Sequence, residues 1–203
     1  MKLITFDTET QGIPIWSMPS EHPDQPRIIS LAADLHDETG RTFGALNVLI
    51  KPDGWTVPAN ITELTGISTE MCEEYGVPMG DVLQVFIEMW KQSKMRIGHN
   101  ESFDMRMIRI ELMRHRYFST TTVNGVSYAD HWKAGLAYCT QGKSTKIVNA
   151  ARPDSEKKKT ASLADAYEHF TGKPIQDAHS AWADTQACKT VYFALQQLNG
   201  APA

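Results

Sequence analysis

Leu3, Ile4 and Phe6 open the chain as a short apolar strand that runs straight into two carboxylates, Asp7 and Glu9. A proline-rich stretch follows, in which Pro14, Pro19, Pro23 and Pro26 exclude regular structure. Two more apolar runs, "RIISLAADL" and "TFGALNVLI", flank "HDETG", whose Asp and Gly suit a hairpin turn. Three N-terminal strands are predicted, the last two antiparallel. The period then lengthens. Val82, Val85, Phe86, Met89 and Trp90 follow the i, i+3, i+4, i+7, i+8 spacing of an amphipathic helix. "MRIGHN" reads as a short strand leaving the sheet through Gly98, and Met105, Ile108 and Leu112 mark one face of a second helix. "VSYAD" is predicted as a fifth strand, and Cys188, Val191, Leu195 and Leu198 mark a C-terminal helix. Strands first and strand–helix alternation afterwards predict an α/β fold, a mixed five-stranded sheet with helices on both faces.

One segment departs from this rhythm. Residues 141–159, "QGKSTKIVNAARPDSEKKK", carry six Lys or Arg, two acids and few large apolar residues. They are predicted to form a mobile basic loop, either simply solvated or a flap near a polyanionic substrate. No repeat or second core interrupts the chain, so residues 1–203 read as one domain.

Composition narrows the class. The hydrophobic fraction of 41% and charged fraction of 22% are ordinary for a globular protein, and no apolar run is long enough to span a membrane. Acids close behind the first apolar residues do not suit a signal peptide. The three cysteines are widely spaced, so free thiols and a cytoplasmic location are expected. A net charge of −4 argues weakly against bulk coating of nucleic acid, but does not exclude a nucleic-acid enzyme whose acids gather in a metal site.

Three clues carry chemistry. On a strand, i and i+2 share a side, so Asp7 and Glu9 project together while Thr8 points away. Paired carboxylates repel unless a cation neutralises them, and hard oxygen ligands suit Mg²⁺ or Mn²⁺. "GHNESFD" places Asp104 in the first turn of a helix after an apolar strand, with Asn100 at the cap position. "HSAWAD" places His179 five residues before Asp184. Such an offset turns through about 500° on an ideal helix, so both reach one site only if His179 lies in the preceding loop. Each clue alone also fits a bland alternative: a solvated strand end, a helix-dipole acid, a structural histidine.

Jointly, and in this order, the three motifs resemble the DEDDh (DnaQ-like) 3′-to-5′ exonuclease family of the ribonuclease H-like superfamily, over nearly the whole chain. "ELTGISTEM", 63–71, is similar to the family segment that meets the 3′-terminal nucleotide. The resemblance implies catalytic Asp7, Glu9, Asp104, His179 and Asp184, the four acids holding two divalent cations, Mg²⁺ or Mn²⁺. It implies substrate contacts from Thr8, Leu64, Thr65, Asn100 and Phe103. His179 would act as the general base near neutral pH. The implied reaction releases nucleoside 5′-monophosphates from the 3′ end of DNA, single-stranded or frayed. The implied partners are nucleic acid with a free 3′ end and a polymerase or other replication or repair protein. An exoribonuclease of the same family, or a catalytically silent nucleic-acid-binding subunit, are the alternatives. Glu101 departs from the family's usual small residue and adds a carboxylate near the site.

Overall fold

The computed structural model describes residues 1–198 and Gly200. The three N-terminal runs form β1 (Lys2–Thr10), β2 (Ile28–Asp37) and β3 (Thr42–Leu49), with both neighbouring pairs antiparallel. Gly40 makes the β2–β3 turn at φ 86°, a conformation that costs a side-chain-bearing residue more. Three helices follow: α1 (Ala59–Thr65), α2 (Thr69–Tyr75) and α3 (Met79–Lys91). β4 (Met95–Gly98) returns parallel to β1 and feeds α4 (Glu101–Arg114). After α5 (Arg116–Thr120), a small hairpin of β5 (Thr122–Val123) and β6 (Val126–Ser127) leads into α6 (Tyr128–Ala134). β7 (Ala137–Cys139), α7 (Thr140–Ala150), α8 (Leu163–Thr171) and α9 (Ala181–Leu198) complete the fold. The main sheet has the order β3-β2-β1-β4-β7, so β1 is central and the last two pairings are parallel.

Alternation along β1 builds both layers. Ile4 and Phe6 point to one face and join Leu83, Phe86, Ile108 and Trp132 from α3, α4 and α6. Phe6 meets the Trp132 ring edge-on at 5.2 Å between centroids. Leu3 points to the other face, where Ile97, Cys188 and Tyr192 cover it. Each fully buried side chain of this kind stabilises the fold by about 1.5–3 kcal/mol, which pins the central strand on both sides.

Several expectations need correction. Of "VSYAD", only Val126 and Ser127 are extended, and Ser127 caps α6 by accepting from the Asp130 N–H at 3.2 Å. The fifth strand of the main sheet is instead Ala137–Cys139, too short to show a period. The basic segment is not a loop throughout, because α7 covers its first half. One face suffices to hold that helix: Val148 is buried with Ala161, Ala166, Val191 and Leu195, and Ile147 packs beside them. Beyond it, Arg152 and Lys158 both reach Asp165, and Lys157 pairs with Asp154. Val85 and Leu198 match the helical period yet lie exposed, at 50% and 63%. The true α3 core adds Leu83 and Ile87. The cysteines are free thiols, and among the described residues no helix is long and apolar enough to cross a membrane.

Candidate active site

The alternation that splits the core also splits the acids. Asp7 and Glu9 share the face of β1 that α9 covers, and Asp184 enters there from the first turn of α9. One carboxylate oxygen from each of the three lies within 4.8 Å of the others. Thr8 points to the opposite face, toward α4. Asp104, in the first turn of α4 and 3% exposed, accepts from the Thr8 hydroxyl at 2.6 Å and the Thr8 N–H at 3.1 Å. Thr8, expected among the substrate contacts, is itself buried with its hydroxyl committed to Asp104. Acids from two layers therefore converge on the end of one strand.

Their electrostatics follow from that crowding. Burial pushes the Asp7 carboxyl well above its ordinary range, and Asp104, Asp184 and Glu9 push it further. Glu9 rises to about 8, through burial and then the charges of Asp184 and Asp104. Asp104 rises to about 7, mainly through burial, although the two Thr8 hydrogen bonds pull it down. Asp184 is raised by burial, while the His179 ring and backbone N–H draw it back. A group of carboxylates that resists ionisation lacks a counter-charge, and a hard divalent cation is the group that oxygen-only donors fit.

His179 is exposed, lies in the loop before α9 at φ 67°, and borders Asp184, as the motif spacing requires. Beside it a cavity of about 290 Å³ is lined by Ser30, Asn47, Thr65, Ile67 and Met71 as well as His179 itself. Within "ELTGISTEM", α1 ends at Gly66 (φ 72°) and Ser68 caps α2. Thr65 donates to the Ile61 carbonyl at 2.8 Å and faces this cavity, and Leu64 stands 54% exposed on α1. Asn100 sits at the α4 cap position but in the left-handed region, φ 62°, with no side-chain cap bond. Phe103 is half-buried and packs on the core under the sheet.

The sequence pattern did not expose the groups that brace the site. Glu101 is paired with Arg96, and its charge still helps to raise Asp104. Arg96, 3% exposed on β4, donates through Nε to Glu101 and through Nη1 to the Trp132 carbonyl, and its guanidinium lies 4.7 Å from the centre of the Trp132 ring. His99 bridges the Thr140 hydroxyl at 2.9 Å and the Ala161 carbonyl at 3.0 Å, tying β4 to α7 and the loop before α8. An arginine in a four-residue apolar strand was the available signal, since a buried cation needs a partner nearby.

A central strand that presents carboxylates at its end, in a mixed five-stranded sheet clad by helices, is an arrangement of the ribonuclease H-like fold. The chain belongs to the exonuclease family RNase_T, DnaQ-like and DEDDh in type, whose sequence model matches residues 4–192. Among solved structures, exonuclease I (described in a study of how processivity is achieved) superposes with a TM-score of 0.72 at 18% identity over 97% of this chain. E. coli exonuclease I in complex with a dT13 oligonucleotide gives 0.70 at 18% identity over 96%. The chain spans only 41% of the length of each. A complex named ExoI/SSB-Ct gives 0.67 at 16% identity, over 97% of this chain and 41% of that one. No curated protein sequence matches.

Proposed function

We propose that this chain is a metal-dependent 3′-to-5′ exonuclease that releases nucleoside 5′-monophosphates from DNA, acting on single strands or frayed ends. The observation that carries the reading is the meeting of Asp7, Glu9 and Asp184 within 4.8 Å, with His179 bordering Asp184. Asp7, Glu9 and Asp184 would hold one divalent cation, Mg²⁺ or Mn²⁺, and Asp7 with Asp104 a second. Bound there, the two ions supply the charge that acidifies the attacking water and offsets the phosphodiester oxygens.

The chain's own groups do the rest. His179, exposed beside Asp184, accepts the proton of the attacking water on a ring nitrogen and passes it to solvent. Thr8 holds Asp104 by two hydrogen bonds, so that acid needs no rearrangement during the step. The cavity beside His179, bordered by Thr65, has the room and the mixed lining to seat a terminal nucleoside, with exposed Leu64 on the same helix. Asn100 and Phe103, flanking Glu101 ahead of Asp104, are the proposed contacts on the other side. DNA is preferred because the solved neighbours include complexes with DNA oligonucleotides. A polymerase or another replication or repair protein is the proposed partner class.

The test is digestion of matched DNA and RNA oligonucleotides labelled at the 5′ end, with Mg²⁺, Mn²⁺ or chelator. A ladder shrinking from the 3′ end, abolished by chelator, is expected on DNA. Faster shortening of RNA would make the enzyme an exoribonuclease. Cutting of closed circles, or activity in excess chelator, would overturn the reading, and binding without turnover would leave a silent nucleic-acid-binding subunit.

A further inference from the structure

The connection between β1 and β2, residues 11–27, has no regular structure, yet it is heavily braced. Gln25, 3% exposed, lies inside it: its Oε1 accepts from the Ile15 N–H at 2.9 Å. Its Nε2 donates to the carbonyls of Ile15, Pro19 and Met18 at 3.0, 3.1 and 3.3 Å. Three arginines of α4 fix the loop from the other side. Arg106 donates to the Met18 carbonyl, Arg109 to the Ser20 hydroxyl at 2.6 Å, and Arg114 to the carbonyls of Pro23, Gln25 and Pro26. Out of this frame stands Trp16, 56% exposed and the one exposed tryptophan of the five.

A large aromatic surface held in water by a rigid frame is an unusual expense for a fold, since burial is what such side chains contribute. The attachment of the loop indicates what covers it. The loop springs from the strand that ends on Asp7 and Glu9. Arg106, which anchors Met18, is two positions past Asp104 on α4. The anchors step back along α4, from Arg114 at Pro23, Gln25 and Pro26 through Arg109 at Ser20 to Arg106 at Met18, so the stretch that carries Trp16 continues toward the end of α4 that holds Asp104. The whole chain is acidic, at −4, so phosphate contacts alone offer limited affinity for a polyanion. Stacking on an aromatic ring works regardless of charge and is worth about tenfold or more in affinity per base.

We propose that Trp16 is a stacking platform for an unpaired nucleobase of the substrate strand, upstream of the scissile phosphodiester, and that it directs the enzyme to single strands. The inference rests on the nuclease reading above for the identity of the strand. A duplex keeps its bases stacked on one another, so only a single strand presents a free face to this ring.

The test uses the full chain with Ca²⁺ in place of Mg²⁺, the oligonucleotide being checked for integrity. Anisotropy of a 5′-labelled oligothymidylate about 12 nucleotides long measures affinity, a length within the span of single-strand sites. Trp16→Ala should weaken binding about tenfold without changing the slope of log affinity against log salt, because no phosphate contact is lost. Trp16→Phe should keep most of the affinity. An abasic unit walked along the strand should reproduce the loss at one position in the wild type and at none in Trp16→Ala. Unchanged affinity in Trp16→Ala, or a loss that appears only as an altered salt slope, would overturn the proposal. With Mg²⁺ restored, hydrolysis of the p-nitrophenyl ester of thymidine 5′-monophosphate reads the catalytic centre without any upstream base. It should be equal in wild type and Trp16→Ala, and a parallel loss there would mean that Trp16 shapes the site instead of the strand. If neither protein cleaves the ester, the nuclease reading fails, while the abasic walk still decides the stacking.

Discussion

The Thr8 hydroxyl donates to Asp104 Oδ1 at 2.6 Å, and the same oxygen takes the Thr8 N–H at 3.1 Å, joining the central strand to the helix across the layer boundary. The latch exists because Thr8 is out of phase with Asp7 and Glu9 on β1. Thr8→Val keeps the shape and removes the donor. Above about pH 7, where Asp104 is ionised, a hydrogen bond to a charged partner contributes about 1.5–3 kcal/mol, so the melting temperature should fall there by several degrees. If the latch also positions Asp104 for catalysis, kcat should fall about tenfold and Thr8→Ser should restore it. A Thr8→Val enzyme that is less stable but turns over normally would confine the contact to folding.

Glu101 gives a second expectation. It and Arg96 are both buried, with side chains 9% and 3% exposed. Removing one partner of a buried pair leaves an uncompensated charge and costs roughly 3–5 kcal/mol. Glu101→Ala should therefore destabilise the chain strongly at any metal concentration. Arg96→Met together with Glu101→Leu should recover much of the loss. Equal melting of wild type and Glu101→Ala would show that solvent, not Glu101, satisfies Arg96.

How far this fold could be read in advance depended on what the pattern encodes. β1 was legible because a single feature, the alternation of Leu3, Ile4, Phe6, Asp7 and Glu9, reports both burial and the grouping of the acids. The five expected catalytic positions were legible as motifs, and three of the carboxylates meet in space. β7 was missed because three residues carry no period. α7 was missed because composition counts apolar residues, whereas a helix docked on one face needs only a few, such as Ile147 and Val148. The Thr8–Asp104 and Arg96–Trp132 contacts lie between residues far apart in the chain, and the Arg96–Glu101 and Gln25–Ile15 contacts follow neither the strand nor the helix period, so no local spacing reports them.

Metal and pH should act on stability together. The native site holds protons on Glu9 up to about pH 8 and on Asp104 up to about pH 7, whereas both groups ordinarily release them near 4.5 and 3.8. Between those limits the native chain binds more protons than the unfolded one, so stability falls as pH rises. The contribution is fully present below about pH 4 and lost as pH passes through about 8. Without metal, the melting temperature should drop across this window, and saturating Mg²⁺ or Mn²⁺ should remove much of the drop by binding only the native state. Asp7→Asn should flatten the metal-free profile and melt higher than wild type near pH 8, while losing activity. A wild-type profile that is already flat without metal would mean that the acids are better solvated than their positions suggest.

His179 tests the reaction itself. It stands in the loop before α9 at φ 67°, exposed, and it borders Asp184 without belonging to the three-carboxylate group. That arrangement suits a proton acceptor that moves between site and solvent, and it suits a metal ligand less well. His179→Ala should lower kcat by on the order of 10²–10⁴, the range typical of a lost general base. Metal binding, followed by the Mg²⁺-dependent rise in melting temperature, should survive because all four acids remain. A base must be neutral to accept a proton, so the wild-type rate should climb on one pH limb that the variant lacks. His179→Asn tests position instead of proton transfer, since it keeps a polar side chain and tolerates a positive φ better than alanine does. If His179→Asn is as slow as His179→Ala, the ring's basicity is what matters. If His179→Asn is active while His179→Ala is not, the residue matters for holding the left-handed turn before α9, and the proton leaves by another route.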